Sequence, residues 1–436
     1  MPWISDSSSK STPLDLSGAF FGHDCKLPWN SIPEFVALRN FVLANSELRR
    51  RLLPSFLRDP ESPSAKSDSD EKYASLADLL ATNLASDVLD RYVHVTGQWT
   101  FDVDEVLRVA APNLAVIFEP ELKLDVCVPI LFVRFDFDSE LLGERAAIER
   151  IEEDYQLARA GKYKYGPGVH ESVLGGATHW LVLKDFAVQN PGRSDLYDIF
   201  SDARAYPIPA IDAFFAALRL GTGADTGYAQ LLVRPHNWCL SHKAMLPPLE
   251  GTSLRAYPYW FEDFRWLAED LPSVGEEQAA VVRRIYSRLS ENSERSMNAA
   301  VRRMNRCYLR DDEDDAAVDA TIGLEALLAD DEKTELTHKL ALRVAALLQL
   351  LPDNQLSPSQ VFRDIRAIYK HRSEIVHGEK RVEKTRMISL PDRSTQPASA
   401  LALKYLRSVV EVLLEHPQYL KPAAIDELIL AKLRSN

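Results

Sequence analysis

From about residue 257 onward, the apolar residues of this chain recur at helical spacing. That periodicity constrains the fold more than any other feature, because every apolar stripe on a helix must be buried against another element. One candidate helix covers residues 258–271, and a longer one runs from about 275 to 309. The segment VDATIGLEALL, 318–328, places Val318, Ile322 and Leu324 to Leu328 on one stripe. HKLALRVAALLQLL, 338–351, is so apolar that it must be largely buried. Asn354 to Pro358 mark a turn and a cap. The helix that follows carries Val361, Phe362, Ile365, Ile368, Tyr369, Ile375 and Val376, with Gly378 as its stop. PDRSTQPAS reads as a loop, and ALALKYLRSVVEVLLEH, 400–416, as a last long helix that Pro417 ends. The expected unit is an all-α bundle of about five helices. The charge run DDEDD, 311–315, suits a helix N-terminus, where carboxylates meet the positive end of the dipole. As a functional element it reads as a solvated turn.

Upstream the pattern differs. Val93, Val95 and Trp99 alternate with polar neighbours, and LAVIFEP, KLDVCVPILFVRFDFD and THWLVLKDFAV are rich in Val, Phe and Leu, as strands are. Helical patterns are read over 30–58, 73–91, 139–160 and 211–220. Residues 60–72 and YKYGPGVHESVLGGA read as loops. The expected fold class is α+β: an N-terminal domain of mixed helices and strands over residues 1–256, then a helical bundle over 257–436.

With 436 residues the chain is too long for one ordinary core, and two domains are the natural division. A net charge of −13 excludes a general nucleic-acid coat, so any RNA contact must use a local basic patch. Cys25, Cys127, Cys239 and Cys307 are isolated, which argues against a zinc ribbon or a disulfide framework and for a reducing compartment. The first residues lack the pattern of a signal peptide, and no run of roughly 18 apolar residues occurs. The expectation is a cytoplasmic protein with no membrane partner and no cofactor.

The densest chemical signal is YKHRSEIVHG, 369–378. Arg372 and His377 are five positions apart, about 140° around a straight helix. A left-handed Gly378 lets the helix close near His377 and turn that side chain toward the face of Arg372. The pair suits RNA cleavage. The ribose 2′-OH attacks the adjacent phosphate, a histidine moves the proton, and a guanidinium stabilises charge on the phosphate oxygens. No metal is called for, because the nucleophile belongs to the substrate. Between 361 and 386 eight basic residues face four acidic ones, a local excess of four positive charges. Within this patch Arg366, Lys370, Lys380 and Arg381 are the candidate RNA contacts, and Tyr369 either stacks on a base or packs in the core. The plainer reading of an arginine and a histidine near a helix C-terminus is that positive charge favours that end.

Several segments in order resemble the HEPN superfamily, in particular its Apea-like branch. They are RRMNRCYLRDDEDDAAVDATIGLEALL, HKLALRVAALL, the block YKHRSEIVHG and the closing YLRSVVEVLLEH, together spanning about 275–416. The resemblance implies a helical bundle that dimerises, so that two R-x4-6-H motifs form one composite, metal-independent ribonuclease site. Such sites act in phage defence, toxin systems or RNA processing. It implies catalytic roles for Arg372 and His377. Ser373 fills the polar position after the arginine, Glu325 an acidic position on a neighbouring helix, and Tyr369 and Gly378 shape the helix end. It also implies an upstream region that senses a trigger ligand or protein, or restrains the nuclease. The stretch IDAFFAALRLGTGADTGYAQ is similar to the helix and loop that often precede such domains.

Other residues are read more plainly. His236, Cys239 and His242 lie close together, but their spacing fits a turn better than a metal site. His170, His179 and His338 read as ordinary polar or capping residues, and Asp136 and Asp138 as a solvated strand end rather than an acid/base pair. No phosphate loop is present. The alternative to the nuclease is a catalytically inactive dimerisation scaffold with a ligand- or protein-binding N-terminal domain. A nucleotide-transfer role is a third and weaker option.

Overall fold

The computed structural model describes residues 33–45, 47–48, 69–98, 100, 102–162, 169–243, 245–263, 271–292, 294–330, 335–352, 356–378 and 382–434. It divides into two compact units. The first takes the chain up to Leu131 with Glu144–Tyr206 and Tyr228–Arg255; the second takes Phe132–Gly143, Pro207–Gly227 and the chain from Ala256. Two stretches that the sequence assigns to the N-terminal region, 132–143 and 207–227, are thus grouped with the C-terminal unit.

Up to residue 256 the elements are α1 (Pro33–Ala44), α2 (Ser69–Thr96), α3 (Val103–Phe118), β1 (Glu121–Ile130), β2 (Arg134–Phe135), β3 (Ser139–Gly143), β4 (Ala146–Arg150), α4 (Glu153–Lys162), α5 (Glu171–Leu174), β5 (His179–Gln189), α6 (Arg193–Ser201), α7 (Ile208–Thr222), β6 (Tyr228–Pro235) and β7 (Glu250–Ala256). Beyond it come β8 (Ser273–Val274), α8 (Glu276–Glu291), α9 (Arg295–Leu309), α10 (Glu313–Leu328), α11 (Leu336–Leu347), α12 (Pro358–Val376), α13 (Val382–Thr385), β9 (Met387–Ser389), β10 (Thr395–Pro397), α14 (Ala398–Glu415) and α15 (Pro422–Arg434).

In the first unit a sheet runs β4-β5-β1-β6-β7. β1 lies antiparallel to both β5 and β6, with Cys127 opposite Val182 and Leu232. Its continuous apolar run from Val126 to Ile130 is buried throughout. The register of β1 against β5 shifts between Leu124 and Val126. At that irregularity Asp125 accepts from the Asp185 N–H (3.2 Å) and from Arg234 (2.9 Å). The mixed α+β class agrees with the sequence, but the loop read over 60–72 is helical from Ser69, the loop YKYGPGVHESVLGGA carries α5, and three further assignments differ. LAVIF ends helix α3, because Val109, Ala110, Asn113, Val116 and Ile117 are buried at helical spacing behind the Asp102 cap. Val93 and Val95 belong to α2. Residues 139–150, read as helix from their Glu and Arg content, form strands β3 and β4, with Leu142 and Ala146 to Ile148 buried around an exposed turn.

The second unit is helical but not all-α. β2 pairs in parallel with β8, and β9 with β10 in antiparallel fashion, so the stretch expected as a loop carries a short hairpin. The long helix expected over 275–309 is two, because the Asn292 side chain accepts the Glu294 N–H (2.8 Å) and turns the chain. Of the helix expected over 258–271, the described part is a single 3₁₀ turn at Tyr259–Asp263. A further helix, α15, follows Pro417. α10 packs against α9, α12 and α14. Gly323 permits the approach to α14, since a Cβ there would lie 2.7 Å from Leu406 Cδ2. Asp319, 1 % exposed, ties α9 to α10 by accepting from Arg303 and from Arg310 Nε (2.7 Å). Asp319→Ala should therefore cost about 2 kcal/mol in chemical denaturation, since both guanidiniums are partly exposed and recover water.

Candidate active site at the end of α12

α12 begins at Ser357, whose hydroxyl accepts the Gln360 N–H (3.2 Å), with Pro358 in the first turn. It ends where the sequence places the stop. The His377 N–H donates to Ser373 O (3.0 Å), the Gly378 N–H to Ile375 O (3.1 Å), and Gly378 takes φ +64°. The turn falls after His377, whose own backbone stays right-handed helical (φ −90°, ψ 0°). The expected swing of His377 toward Arg372 is therefore not made by the backbone. Within one chain the two positions keep roughly the angular offset of a straight helix, about 140°.

Three of the sequence-derived residues gather on the inner side. Arg372 Nη2 lies 3.7 Å from Glu325 Oε1 on α10, both side chains being partly buried. The Tyr369 hydroxyl donates to Thr321 O (3.3 Å) and is buried. Burial, then the Glu325 carboxylate, holds its phenol well above the usual range. Tyr369 is thus a core anchor rather than a platform for a base. Arg372 Nε is buried and meets no acceptor among the described residues. Ser373 is half-buried and serves the helix end through its carbonyl, while His377 and Gly378 are exposed. Arg366 and Lys370 are exposed on α12, and Arg366 sits over the Phe362 ring at 5.8 Å. Lys380 and Arg381 lie outside the described residues.

Sequence reasoning missed the group beside them. His371, 1 % exposed, faces Asp314 through Nε2 (3.3 Å) and Thr385 Oγ1 through Nδ1 (3.1 Å). The Thr385 hydroxyl donates to Glu374 (2.5 Å), and Arg386 grips both oxygens of Asp314 (3.2 and 3.0 Å). Burial lowers the imidazole's affinity for a proton, Arg386 adds to that, and Asp314 and Glu374 oppose it. This clasp fastens the chain after the R-x4-H block back onto α12. Its signal was present in DDEDD, which is more than a solvated turn: Asp312 caps α10, Asp314 joins the clasp and Asp315 pairs with Arg310 (3.4 Å).

In the first unit, His236 Nε2 meets Asp125 Oδ2 (3.0 Å), and Cys239 Sγ lies 3.1 Å from His242 Nε2. The cysteine–histidine contact is no nucleophilic dyad. Burial pushes the Cys239 thiol up to about 12 and His242 down to about 4. Among the described residues no group of His, Cys, Asp and Glu is placed to hold a metal ion, and no helix is long and apolar enough to cross a membrane. His179 is buried beside Thr178 (2.9 Å), and His338 packs edge-on to Phe362 (5.3 Å). Asp136 accepts from the Ser273 hydroxyl (2.7 Å), just past the end of β2.

Because His242 is held neutral well below its ordinary 6.5, the unfolded chain binds more protons between about 4 and 6.5. Folding stability contributed at His242 is complete above that window and is lost as pH falls through it. Comparing wild type with His242→Gln in denaturant titrations from pH 7 to 4 should show a difference on the order of 2 kcal/mol in that loss. Parallel pH profiles for the two proteins would contradict the assignment.

No family model matches the chain, and neither a curated protein nor a solved structure is significantly similar to it.

Proposed function

We propose that the C-terminal unit is a metal-independent endoribonuclease of the HEPN type, acting in the cytoplasm as a homodimer. One observation carries the reading. Arg372 is held in the last turns of α12 with a buried donor left over, in the same block as the exposed His377. Arg343 shows what a purely structural arginine does in the same unit. It donates twice to Asp426 (2.9 and 2.7 Å), once to Asp330 (2.8 Å) and once to Leu328 O (2.7 Å). Arg372 has instead one loose contact and an idle Nε. A buried donor without an acceptor costs about 1–3 kcal/mol, which a phosphate oxygen would recover.

In the proposed reaction the 2′-oxygen bonds to phosphorus as the 5′-oxygen leaves. His377 takes the 2′-OH proton, and the second copy of the motif supplies the proton for the leaving group. Arg372 stabilises the negative charge that builds on the phosphate oxygens. The ordered resemblance over 275–416, the Glu325–Arg372 contact and the local positive excess support this reading. A phage-defence or toxin-like role, with the first unit responding to a trigger, extends it. The second reading is an inactive dimerisation scaffold. It is favoured by the turn falling after His377, so that the backbone does not swing that residue toward the face of Arg372.

Cleavage of single-stranded RNA by purified protein decides between them. Arg372→Ala and His377→Ala should each slow cutting about 100-fold or more, and products should end in a cyclic phosphate even in chelator. Wild-type rates in both variants would remove these residues from the reaction. An uncleaved substrate alongside a stable dimer would favour the scaffold.

A further inference from the structure

A cleft of about 490 Å³ opens along a different stripe of α12, between that helix and the segment 384–391. Its volume lies in the range of small-molecule sites. Arg363, Lys370 and Lys384 line it, against one carboxylate, Asp364. In a chain of net charge −13 this is a concentrated positive concavity. Among the described residues neither lysine ammonium takes part in an ion pair.

The floor is built. Asp364, 3 % exposed, accepts from the Tyr405 hydroxyl (2.6 Å) and from Gln360 Nε2 (2.6 Å). Gln360 is buried too, and its carbonyl oxygen takes Arg363 Nη2 (2.8 Å). The relay spends the charge of Asp364 on holding Gln360 and uses Gln360 to aim an otherwise exposed guanidinium. Such preorganisation reduces the ordering cost of binding. The opposite wall is mixed, with Met387, Ile388 and Pro391 as its apolar part beside Lys384, Thr385 and Ser389.

We propose that this cleft binds a small organic phosphate, its phosphate between Arg363, Lys370 and Lys384 and its carbon body against the wall at Ile388. Three cations lining one cleft suit a dianion with three acceptor oxygens better than a single carboxylate, and a guanidinium fork matches phosphate geometry. The cleft exceeds what a bare phosphate fills, which is why the ligand carries an organic part. This inference does not depend on the ribonuclease reading. It turns Lys370, which the sequence offers as an RNA contact, toward a different ligand.

Titration calorimetry on the full chain tests it, with phenyl phosphate, inorganic phosphate, succinate and a short RNA bearing hydroxyl ends as probes. Phenyl phosphate should bind saturably, at one site per chain, more tightly than inorganic phosphate, and more weakly as salt rises. The exposed double substitution Lys370→Gln with Lys384→Gln should weaken it about tenfold or more with the melting temperature unchanged, and Arg372→Ala should leave it as in wild type. Succinate binding as tightly as phenyl phosphate would overturn the phosphate assignment. RNA binding that needs both lysines, without saturable phenyl phosphate binding, would overturn the small-molecule assignment. Indifference of phenyl phosphate binding to the lysine substitutions would overturn the site.

Discussion

Everything proposed for the second unit depends on how α12 satisfies polar groups that it buries. Gln360, Asp364, Tyr369, His371 and Glu374 are all nearly inaccessible, on a helix that otherwise packs Val361, Ile365 and Ile368. Each would cost about 1–3 kcal/mol or more if left without a partner. Each finds one on another segment or on a neighbour already tied down: Tyr405 for Asp364, Thr321 for Tyr369, Asp314 and Thr385 for His371. Apolar packing alone tolerates sliding by a rotamer or two. Directional bonds on three sides do not, so α12 is fixed in rotation as well as in place.

That fixed rotation sorts the exposed positions of the helix into separate chemical faces. Arg363 and Lys370, seven residues apart, share the stripe that borders the cleft. Arg372 falls on the side of α10, where Glu325 meets it. His377 sits at the end, released by Gly378. The clasp at His371 and Thr385 serves two of these faces at once, because Thr385 both bonds the imidazole and lines the cleft. A small rearrangement of residues 382–386 would therefore be felt at the cleft wall and along the last two turns of α12.

The sequence was most legible where one periodicity ruled a whole element. α10, α11, α12 and α14 lie where their stripes put them, and the helix stop at Gly378 follows from a residue that tolerates φ > 0. It misled where composition imitated another state. The Leu, Val and Ile of residues 114–117 look like a strand until Val109, Ala110 and Asn113 are counted with them as one helical face. The Glu and Arg of residues 139–150 look helical, although the apolar residues on either side of the turn lie in strands β3 and β4. The clasp was illegible for another reason. Asp314, His371 and Thr385 are far apart in sequence, and nothing in their spacing says that the termini of three elements meet. Arg372, Glu325 and Tyr369 are each named from a resemblance, but nothing in the sequence says that α12 and α10 bring them together.

The place of the turn, after His377 rather than before it, bears on assembly. A backbone that turned before His377 would have let each chain close its own site. The observed turn at Gly378 follows His377, which keeps helical backbone angles and is exposed. Two-fold pairing changes the geometry, because an isologous contact sets residue i against j and j against i. In the proposed dimer each composite site would then draw its arginine and its histidine from both copies of the motif. Under the ribonuclease reading the dimer is accordingly a condition of the chemistry. Under the scaffold reading the same surface would pair without needing either side chain.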